Sequence, residues 1–349
     1  MVHSCGNSSR FKRDSLGLTR RESIRSVDRW NNERPAIRDE EERDPDNHFA
    51  NAAVDLLKRP DYLGRMSDHT LRPVTTNHGD IAQIATLLCE VFPTAKHFTE
   101  EALRWQYRDN PDGQVVGFNA WQGDELAAHY VTIPFKAKVN GKQEKGLLSL
   151  NTATRPAHQG KGLFTKLAKS TYELGAEQGF GFVIGVANAN STHGFTKKLG
   201  FQLVSPLRAM IGLGPLPFRE NSREVHYEQD RSLDAFSWRL AHPCYAYSIA
   251  KGRHIDLVLS GREQFGCRYV LHAARNLRIM DGIPLTKTPM RKIWIGLDPA
   301  MDWRGSCYMN IPMRFRPSPL NLIFKDLSGQ GRTLDAKRVR FHAMDFDIL

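Results

Sequence analysis

The sequence predicts an α+β fold, a mixed and mostly antiparallel twisted sheet flanked by helices, from three observations. Short apolar or alternating runs typical of strands lie between stretches whose apolar residues recur at helical spacing. Asn140-Gly141 separates two of the alternating runs, and this dipeptide is a strong signal for a two-residue β-hairpin. The chain has 349 residues, of which 40% are hydrophobic and 25% charged, so it is long enough to form two ordinary cores.

The elements between residues 70 and 205 are predicted in order along the chain. A strand over 70–75 precedes a helix that begins near Asp80 and ends before Pro93. A second helix over 99–107 begins with a capping pattern at Thr99 and ends before Asn110-Pro111. A three-stranded antiparallel meander, a helix, a strand and a short helix follow, over 115–121, 126–139, 147–154, 162–178, 182–187 and 191–199.

Residues 1–65 differ from the rest of the chain in composition. They contain Ser-rich and Arg-rich stretches and the acidic block Asp39-Glu40-Glu41-Glu42, with few apolar residues at regular spacing. Such a segment cannot bury a core, so we predict a flexible, charged N-terminal extension. We place the start of the first domain at Met66, with one domain over 66–210 and a second over 211–349.

The charge balance and the dispersed ligand residues exclude several classes of site. The chain has 49 Lys and Arg against 38 Asp and Glu, a formal net charge of +11, which favours anionic partners. A nucleic-acid-binding protein would have a recognised motif or a basic stripe with interleaved aromatic residues, and the sequence has neither. The five cysteines and 13 histidines lack the spacings of a disulfide framework or a metal site. No apolar run is long enough to span a membrane. We therefore expect no metal, no nucleic-acid partner, no membrane span and a cytoplasmic location.

A glycine-containing turn joins a predicted strand to a predicted helix at residues 152–164, Thr-Ala-Thr-Arg-Pro-Ala-His-Gln-Gly-Lys-Gly-Leu-Phe. Gly160 and Gly162 permit a positive φ and a close approach of a ligand to the backbone. The first N–H groups of the following helix lie at the positive end of its dipole. These properties suit a pyrophosphate, although an ordinary strand-to-helix turn also contains glycine. The spacing excludes both a Walker A loop and a dinucleotide-binding fingerprint.

Two motifs in this region resemble those of the GNAT superfamily of acetyl-coenzyme A-dependent N-acyltransferases. Gln159-Gly160-Lys161-Gly162-Leu163-Phe164 is similar to the family's Q/R-x-x-G-x-G/A pyrophosphate loop, with Phe164 where many members have Gly or Ala. The second motif combines Gly-Val-Ala-Asn-Ala-Asn-Ser at 185–191 with Phe-Thr-Lys-Lys-Leu-Gly-Phe at 195–201. The order of elements predicted over 70–205 also matches the GNAT fold.

This resemblance implies an acetyl-CoA site and assigns it residue by residue. The backbone of Thr152 and Thr154 would lie along the pantetheine arm and the acetyl carbonyl. The amides that would hold the pyrophosphate belong to Gln159, Gly160, Lys161, Gly162, Leu163 and Phe164. Asn188, Ser191 and Lys198 lie where the family's second motif meets the coenzyme.

The resemblance leaves the proton-transfer groups open. Many family members have a tyrosine after the equivalent of Phe195, where it protonates the leaving thiolate, and this chain has Thr196 there. Because a threonine hydroxyl is a much weaker acid, the candidates are Thr196, His193 one helical turn earlier, another tyrosine, or water. The candidate bases for the amine are His129 and Tyr130, of which strand alternation places one towards the cleft.

The second half of the chain is predicted to be rich in strands, over 245–250, 255–259, 269–272, 292–296, 308–313, 321–324 and 339–346. Ser-Trp-Arg-Leu-Ala-His-Pro at 237–243 is similar to Leu-Arg-Trp-Gln-Tyr-Arg-Asp-Asn-Pro at 103–111, which suggests internal duplication. We predict a β-rich, degenerate GNAT-like domain that has lost its coenzyme loop, or an unrelated β-rich extension. In both cases it would shape the acceptor side of the cleft.

The predicted function is transfer of an acetyl group from acetyl-CoA to a primary amine by direct attack. The motif variant at 188–201 looks like that of two-part GNAT proteins that acetylate amino sugars, so the expected acceptor is a small molecule such as an amino sugar or sugar nucleotide. Two alternatives are a protein or peptide N-acyltransferase and a non-catalytic acyl-CoA-binding protein, the latter suggested by Thr196. The sequence does not determine the oligomeric state.

Overall fold

The computed structural model describes residues 68–219 and 224–346. The extension predicted for 1–65 and the domain start predicted at Met66 lie outside these residues. The described strands form one mixed sheet of 16 strands with helices packed on it, so the predicted fold class is confirmed. Within the described ranges, no helix is both long and apolar enough to cross a membrane. Nor do His, Cys, Asp and Glu side chains cluster there as they would around a metal ion.

The first half of the described chain supplies four helices and six strands. They are β1 (Thr70–Pro73), α1 (His78–Val91), α2 (Glu100–Tyr107), β2 (Val116–Gln122), β3 (Glu125–Val139), β4 (Lys142–Thr154), α3 (Leu163–Glu177), β5 (Phe182–Ala187), α4 (Ala189–His193) and β6 (Gln202–Pro206). Thr99 caps α2 by accepting a hydrogen bond from the N–H of Ala102, as the sequence predicts. Asn140 and Gly141 have φ angles of 51° and 79°, so the β3–β4 hairpin has the expected turn with two positive φ values.

The sheet separates two apolar layers, because successive strand residues point to opposite faces. Val131, Ile133 and Phe135 of β3 pack in the core that includes α1 and α2. Ala128 and Tyr130 of the same strand pack with α3. We therefore call the two sides of the sheet the α2 face and the α3 face.

The second half supplies ten strands and one helix. They are β7 (Arg208–Leu213), β8 (Tyr227–Gln229), α5 (Leu233–Leu240), β9 (Tyr247–Ala250), β10 (Asp256–Gln264), β11 (Cys267–Ala274), β12 (Leu285–Thr286), β13 (Arg291–Leu297), β14 (Tyr308–Asn310), β15 (Asn321–Asp326) and β16 (Val339–His342). Strand β15 lies between β5 and β6 and is antiparallel to both, while β7 pairs with β13. Strands late in the chain therefore complete the sheet around β5.

The contact between α2 and α5 is reciprocal. Trp105 and Trp238 stack with ring centroids 4.5 Å apart. Each indole Nε1–H donates to the backbone carbonyl of the other tryptophan at 3.0 Å. Ser232 caps α5 through the N–H of Ala235, as Thr99 caps α2. The contacts from α2 to α5 therefore match those from α5 to α2, as they would if a local twofold rotation related the two helices.

Some element boundaries differ from the predicted ones. Strand β4 begins at Lys142 rather than at 147, because its polar first residues pair with β3 across the hairpin. The helix predicted over 191–199 is α4 followed by a π-helical turn over Gly194–Lys198. Strand β16 ends at His342, where a 3₁₀ turn begins. Strands β6, β7, β8 and β12 were not predicted. Strands β8 and β12 have only three and two residues, and β6 and β7 pair with the distant strands β15 and β13.

Candidate active site

A gap opens between the parallel strands β4 and β5. Their backbone pairing ends at Ser149 and Gly185, although β4 continues to Thr154 and β5 to Ala187. Beyond the last pair, the facing edges of the two strands have no strand partner in the described part of the chain. An extended ligand that enters the gap can form the hydrogen bonds that the strands do not form with each other.

A β-bulge in β4 lies at this gap. His129 of β3 pairs with Ala153, but Val131 pairs with Leu150, so β4 has one extra residue between these pairs. Asn151 is in this interval and has a φ of 47°, in the left-handed region. Because of this extra residue, the alternation of the backbone N–H and C=O groups along β4 changes at the bulge. The residues that direct these groups towards β5 are odd-numbered on one side of the bulge and even-numbered on the other.

Backbone alternation after the bulge places two threonines at the gap. The N–H of Arg155 donates to the carbonyl of Ala127, on the β3 side. Since backbone groups alternate in direction along a strand, those of Thr154 and Thr152 point to the opposite side, into the gap. The side chain of Gln159 donates to the Thr154 carbonyl at 3.2 Å and ties the glycine turn to the strand end.

The turn between β4 and α3 leaves helix amides available for an anion. Gly160 and Gly162 have φ angles of 77° and 76°, and a Cβ added at either would contact nothing within 4 Å. Gly162 is the N-cap of α3 and, lacking a side chain, leaves the first helical N–H groups, at Leu163 and Phe164, uncapped. An anionic group fits this open, positively polarised helix end.

The basic residues near the turn differ in whether they form ion pairs. Lys161 lies between the two glycines and is exposed. Arg155 forms ion pairs with Glu90 and Glu125, so its charge is already balanced. The first turn of α3 contains no acidic residue. Lys161 is therefore the side chain best placed to add positive charge to the amides of the turn.

The remaining predicted coenzyme residues lie after β5. The Asn188 side chain caps α4 by accepting from the N–H of Ser191, and the Ser191 hydroxyl accepts from the N–H of Asn188. This capping box fixes the start of α4 beside the gap. Lys198 is exposed at the end of the π-helical turn.

The two candidates for the thiolate acid have different surroundings. The hydroxyl of Thr196 donates to the carbonyl of Thr192 at 2.9 Å, so its proton is engaged within the helix. His193 is exposed at the end of α4. Of the two, His193 is the more accessible proton donor.

A chain of hydrogen bonds leads from the β4 bulge into the interior on the α2 face. The Nδ2 of Asn151 donates to the Oε1 of Gln106 at 2.6 Å and to the Tyr107 hydroxyl at 2.9 Å. That hydroxyl lies 3.0 Å from the Nε2 of His129, whose Nδ1 lies 2.7 Å from the Oδ1 of Asn119. Since Tyr107 accepts from Asn151, its own proton is available to Nε2, and the Nδ1–H then donates to Asn119.

The burial of His129 determines how it can act. Its ring is fully enclosed, and this burial lowers the pKa of His129 to about 3, so the ring is neutral near pH 7. The predicted direct contact between His129 and an amine does not agree with this burial. Tyr130 points to the α3 face, where its hydroxyl lies 2.6 Å from that of Tyr172 and 2.8 Å from that of Ser149.

The buried His129 is expected to make the fold sensitive to acid. The unfolded chain protonates this ring near pH 6.5, and the folded chain only near pH 3. Between these values the unfolded state binds one more proton, so the stabilisation is complete above pH 6.5 and decreases as the pH falls, by up to about 1.4 kcal/mol per pH unit. Urea unfolding from pH 7 to 4 should show a shallower decrease for His129→Gln. Equal slopes for both proteins would contradict this prediction. His272, whose pKa burial also lowers, contributes equally to both.

Comparison with known families identifies the domain. Residues 70–204 match the family model of the acetyltransferase (GNAT) domain. These residues are a GNAT acetyltransferase domain. The match of this domain supports an acyltransferase, and the acyl donor of the matched family is acetyl-CoA. The gap between β4 and β5 and the uncapped amides of α3 fit the extended arm and the pyrophosphate of this donor.

Three solved structures share the GNAT fold with this chain. A probable N-acyltransferase from Enterococcus faecalis is 10% identical, with a TM-score of 0.53, covering 75% of this chain and 73% of its own. A GCN5-related N-acetyltransferase from Anabaena variabilis is 10% identical, with a TM-score of 0.51 and coverages of 74% and 73%. A GCN5-related N-acetyltransferase from Kribbella flavida is 11% identical, with a TM-score of 0.50 and coverages of 74% and 72%. No curated protein is significantly similar in sequence.

The site residues predicted from the sequence do not include Asn151, Tyr107 or Gln106. The sequence nevertheless contains a signal for the bulge. Apolar residues of β4 alternate at Leu148 and Leu150, but the next one is Ala153, one residue late. An interrupted two-residue period within a strand indicates an inserted residue. Tyr107 and Gln106 come from a different element, so no local pattern connects them with Asn151.

Proposed function

We propose that the protein is an N-acetyltransferase that transfers the acetyl group of acetyl-CoA to a primary amine of a small molecule by direct attack. The observation that carries this proposal is that β4 forms one edge of the gap and leads directly into the glycine turn. From Ser149 to Thr154 the strand spans about 16 Å, comparable with an extended pantetheine arm. A donor whose pyrophosphate lies at Gly160 and Gly162 would therefore bring its thioester to the closed end of the gap.

The residues of the site bind and orient the two reactants. The amides of residues 159–164 would hold the pyrophosphate oxygens at the start of α3. The backbone N–H groups of Thr152 and Thr154 would bind the arm and the acetyl carbonyl, where negative charge develops as the amine attacks. On the β5 side, Asn188 and Ser191 shape the wall of the gap, and Lys198 adds positive charge. The backbone geometry described above supports these roles.

The second half of the chain covers part of the α2 face. Ile133 and Leu148 of the first half and Arg231 and Trp238 of the second line a small cavity between them. A second half that covers part of this face restricts the approach of an amine on a folded protein more than that of a small-molecule amine. The motif resemblance at 188–201 favours an amino sugar or sugar nucleotide.

We also propose that residues 211–349 are a GNAT-like half that has lost its coenzyme site. The order α5, β9, hairpin β10–β11 and a parallel β13 repeats the order α2, β2, hairpin β3–β4 and a parallel β5. Pairing of β11 with β13 ends at Val270 and Trp294. Strand β13 pairs with β11 along one edge and with β7 along the other. Gly296 and Leu297 of β13 pair with β16, which therefore lies along the same edge as β11. Strand β16 thus fills the position that would admit a coenzyme arm.

Titration and turnover together test the proposed function. We expect calorimetry with the full chain to show one acetyl-CoA bound per chain, since among residues 68–219 and 224–346 only the first half has an open gap. A thiol-release assay with amino sugars, amino acids, polyamines and peptides should show amine-dependent release, largest for amino sugars. Release with peptides alone would instead identify a peptide N-acyltransferase. Binding without release would identify an acyl-CoA-binding protein, two bound molecules would contradict the degenerate half, and no binding would overturn the proposal.

A further inference from the structure

Asn151 has a backbone conformation that few side chains adopt, and it lies at the closed end of the gap. Its φ is 47°, and it is two residues beyond Ser149, where pairing with β5 ends. Asparagine tolerates this region better than most residues, yet such a conformation persists only where surrounding contacts hold it. The contacts of Asn151 therefore bear on what the site does.

The side-chain amide of Asn151 is held through its nitrogen. Nδ2 donates to the Oε1 of Gln106 and to the hydroxyl of Tyr107, both on α2. Because the oxygen of Gln106 requires a donor, the amide is oriented with Nδ2 towards α2 and Oδ1 away from it. Oδ1 has no hydrogen-bond partner within the described ranges and is not enclosed, as the residue is only half-buried.

Rigid elements support this orientation. Behind Asn151, the hydrogen-bond chain passes through Tyr107 on α2 and His129 on β3 to Asn119 on β2. Tyr107 and His129 are fully buried, and Asn119 is 1% exposed. This series of buried hydrogen bonds fixes the direction of the Asn151 amide more closely than contacts with solvent would.

We propose that the Oδ1 of Asn151 accepts a hydrogen bond from the acceptor amine and holds its nitrogen against the thioester carbonyl. The donor arm enters along β4 from the α3 end, so the α2 face, on which Asn151 lies, remains for the amine. Tyr107, His129 and Asn119 are positioning residues that act through Asn151. This inference rests on the proposed function, because it assigns the acceptor of that same reaction.

The proposed hydrogen bond to Asn151 transfers no proton, so other groups accept and supply the protons of the reaction. An amide oxygen binds an N–H but does not take the proton. As the new C–N bond forms and the C–S bond breaks, the amine nitrogen loses one proton to solvent. The departing coenzyme thiolate takes up one proton. Asn151 thus contributes orientation, which lowers the barrier by keeping the nitrogen in line with the carbonyl carbon.

Asn151→Gly tests this role, because glycine adopts the positive φ of the bulge without strain and removes only the amide. We expect kcat/KM for the amine to fall about tenfold to a hundredfold, the effect of losing one hydrogen bond to a polar or charged group. Tyr107→Phe should cause a smaller loss. The Kd for acetyl-CoA should change less than about twofold. Asn140→Gly is the matched control, since Asn140 has a φ of 51° in the β3–β4 turn and is exposed.

Each alternative outcome has a distinct meaning. An Asn151→Gly variant with the same kcat/KM as Asn140→Gly would overturn the inference while leaving the proposed function in place. An equal loss of acetyl-CoA affinity and of amine turnover would also overturn it, because Asn151 would then serve only the shape of β4. A wild-type chain that binds acetyl-CoA but shows no amine-dependent thiol release would overturn the proposed function and this inference with it.

Discussion

Replacing Gly162 by glutamate is expected to weaken acetyl-CoA binding at least about a hundredfold while the chain stays folded. The new carboxylate would lie at the N-cap of α3, where the uncapped N–H groups would otherwise attract the pyrophosphate. Its side chain would also enter the space that is open above Gly162. A hundredfold loss corresponds to about 2.7 kcal/mol, which repulsion between close negative charges readily supplies. Calorimetric titration of acetyl-CoA measures the effect.

Gly179→Glu provides the matched control for strain and charge. Gly179 follows the other end of α3, has a φ of 81° and, like Gly162, has nothing within 4 Å of an added Cβ. Both substitutions introduce a non-glycine residue in the left-handed region, at a cost of about 1–2 kcal/mol. The control should bind acetyl-CoA as the wild type does. Equal losses in both variants would point to damage to α3 instead, and wild-type affinity in Gly162→Glu would place the pyrophosphate elsewhere.

The parts of the site that were predictable from the sequence are local in the chain. The glycine turn depends on residues within one strand-to-helix connection, and Gly160 and Gly162 both have the positive φ that only glycine adopts easily. The capping of α2 by Thr99 and the Asn140-Gly141 hairpin likewise depend on neighbours in sequence. Propensity and spacing are sufficient to predict such features.

The parts that were not predicted depend on contacts between distant segments. The insertion of β15 beside β5 joins Asn321 to Ala187, and no pattern in either strand specifies the other. The hydrogen bond between Asn151 and Tyr107 depends on the bulge, because the bulge turns the asparagine towards α2. The burial that keeps His129 neutral arises from packing of α2 on the sheet. Sequence periodicity indicates which face of a strand is buried, but not which residues lie opposite it.

Truncating the tryptophan pair between α2 and α5 is expected to have the largest effect on stability. Trp105→Ala should lower the free energy of unfolding by about 3–5 kcal/mol, the range for a large buried aromatic side chain. Trp238→Ala should lower it by less, because Trp238 is only partly buried. Each substitution also removes one indole donor and the stacking partner of the other ring. The double variant should therefore lose less than the sum of the single losses, by about 1–3 kcal/mol. Urea unfolding followed by circular dichroism gives all four values.

Trp303→Ala is the control for this double-mutant cycle of Trp105 and Trp238. Trp303 packs against Trp294 and Tyr308, so its combination with Trp105→Ala should be additive within about 0.5 kcal/mol. Additivity for Trp105 and Trp238 as well would show that their reciprocal contact contributes nothing beyond burial. The expected coupling has a consequence for catalysis, because Gln106 and Tyr107 directly follow Trp105 on α2 and hold Asn151. The contact that joins the two halves of the chain therefore also fixes the helix that holds Asn151, on the side of the gap where we propose that the amine binds.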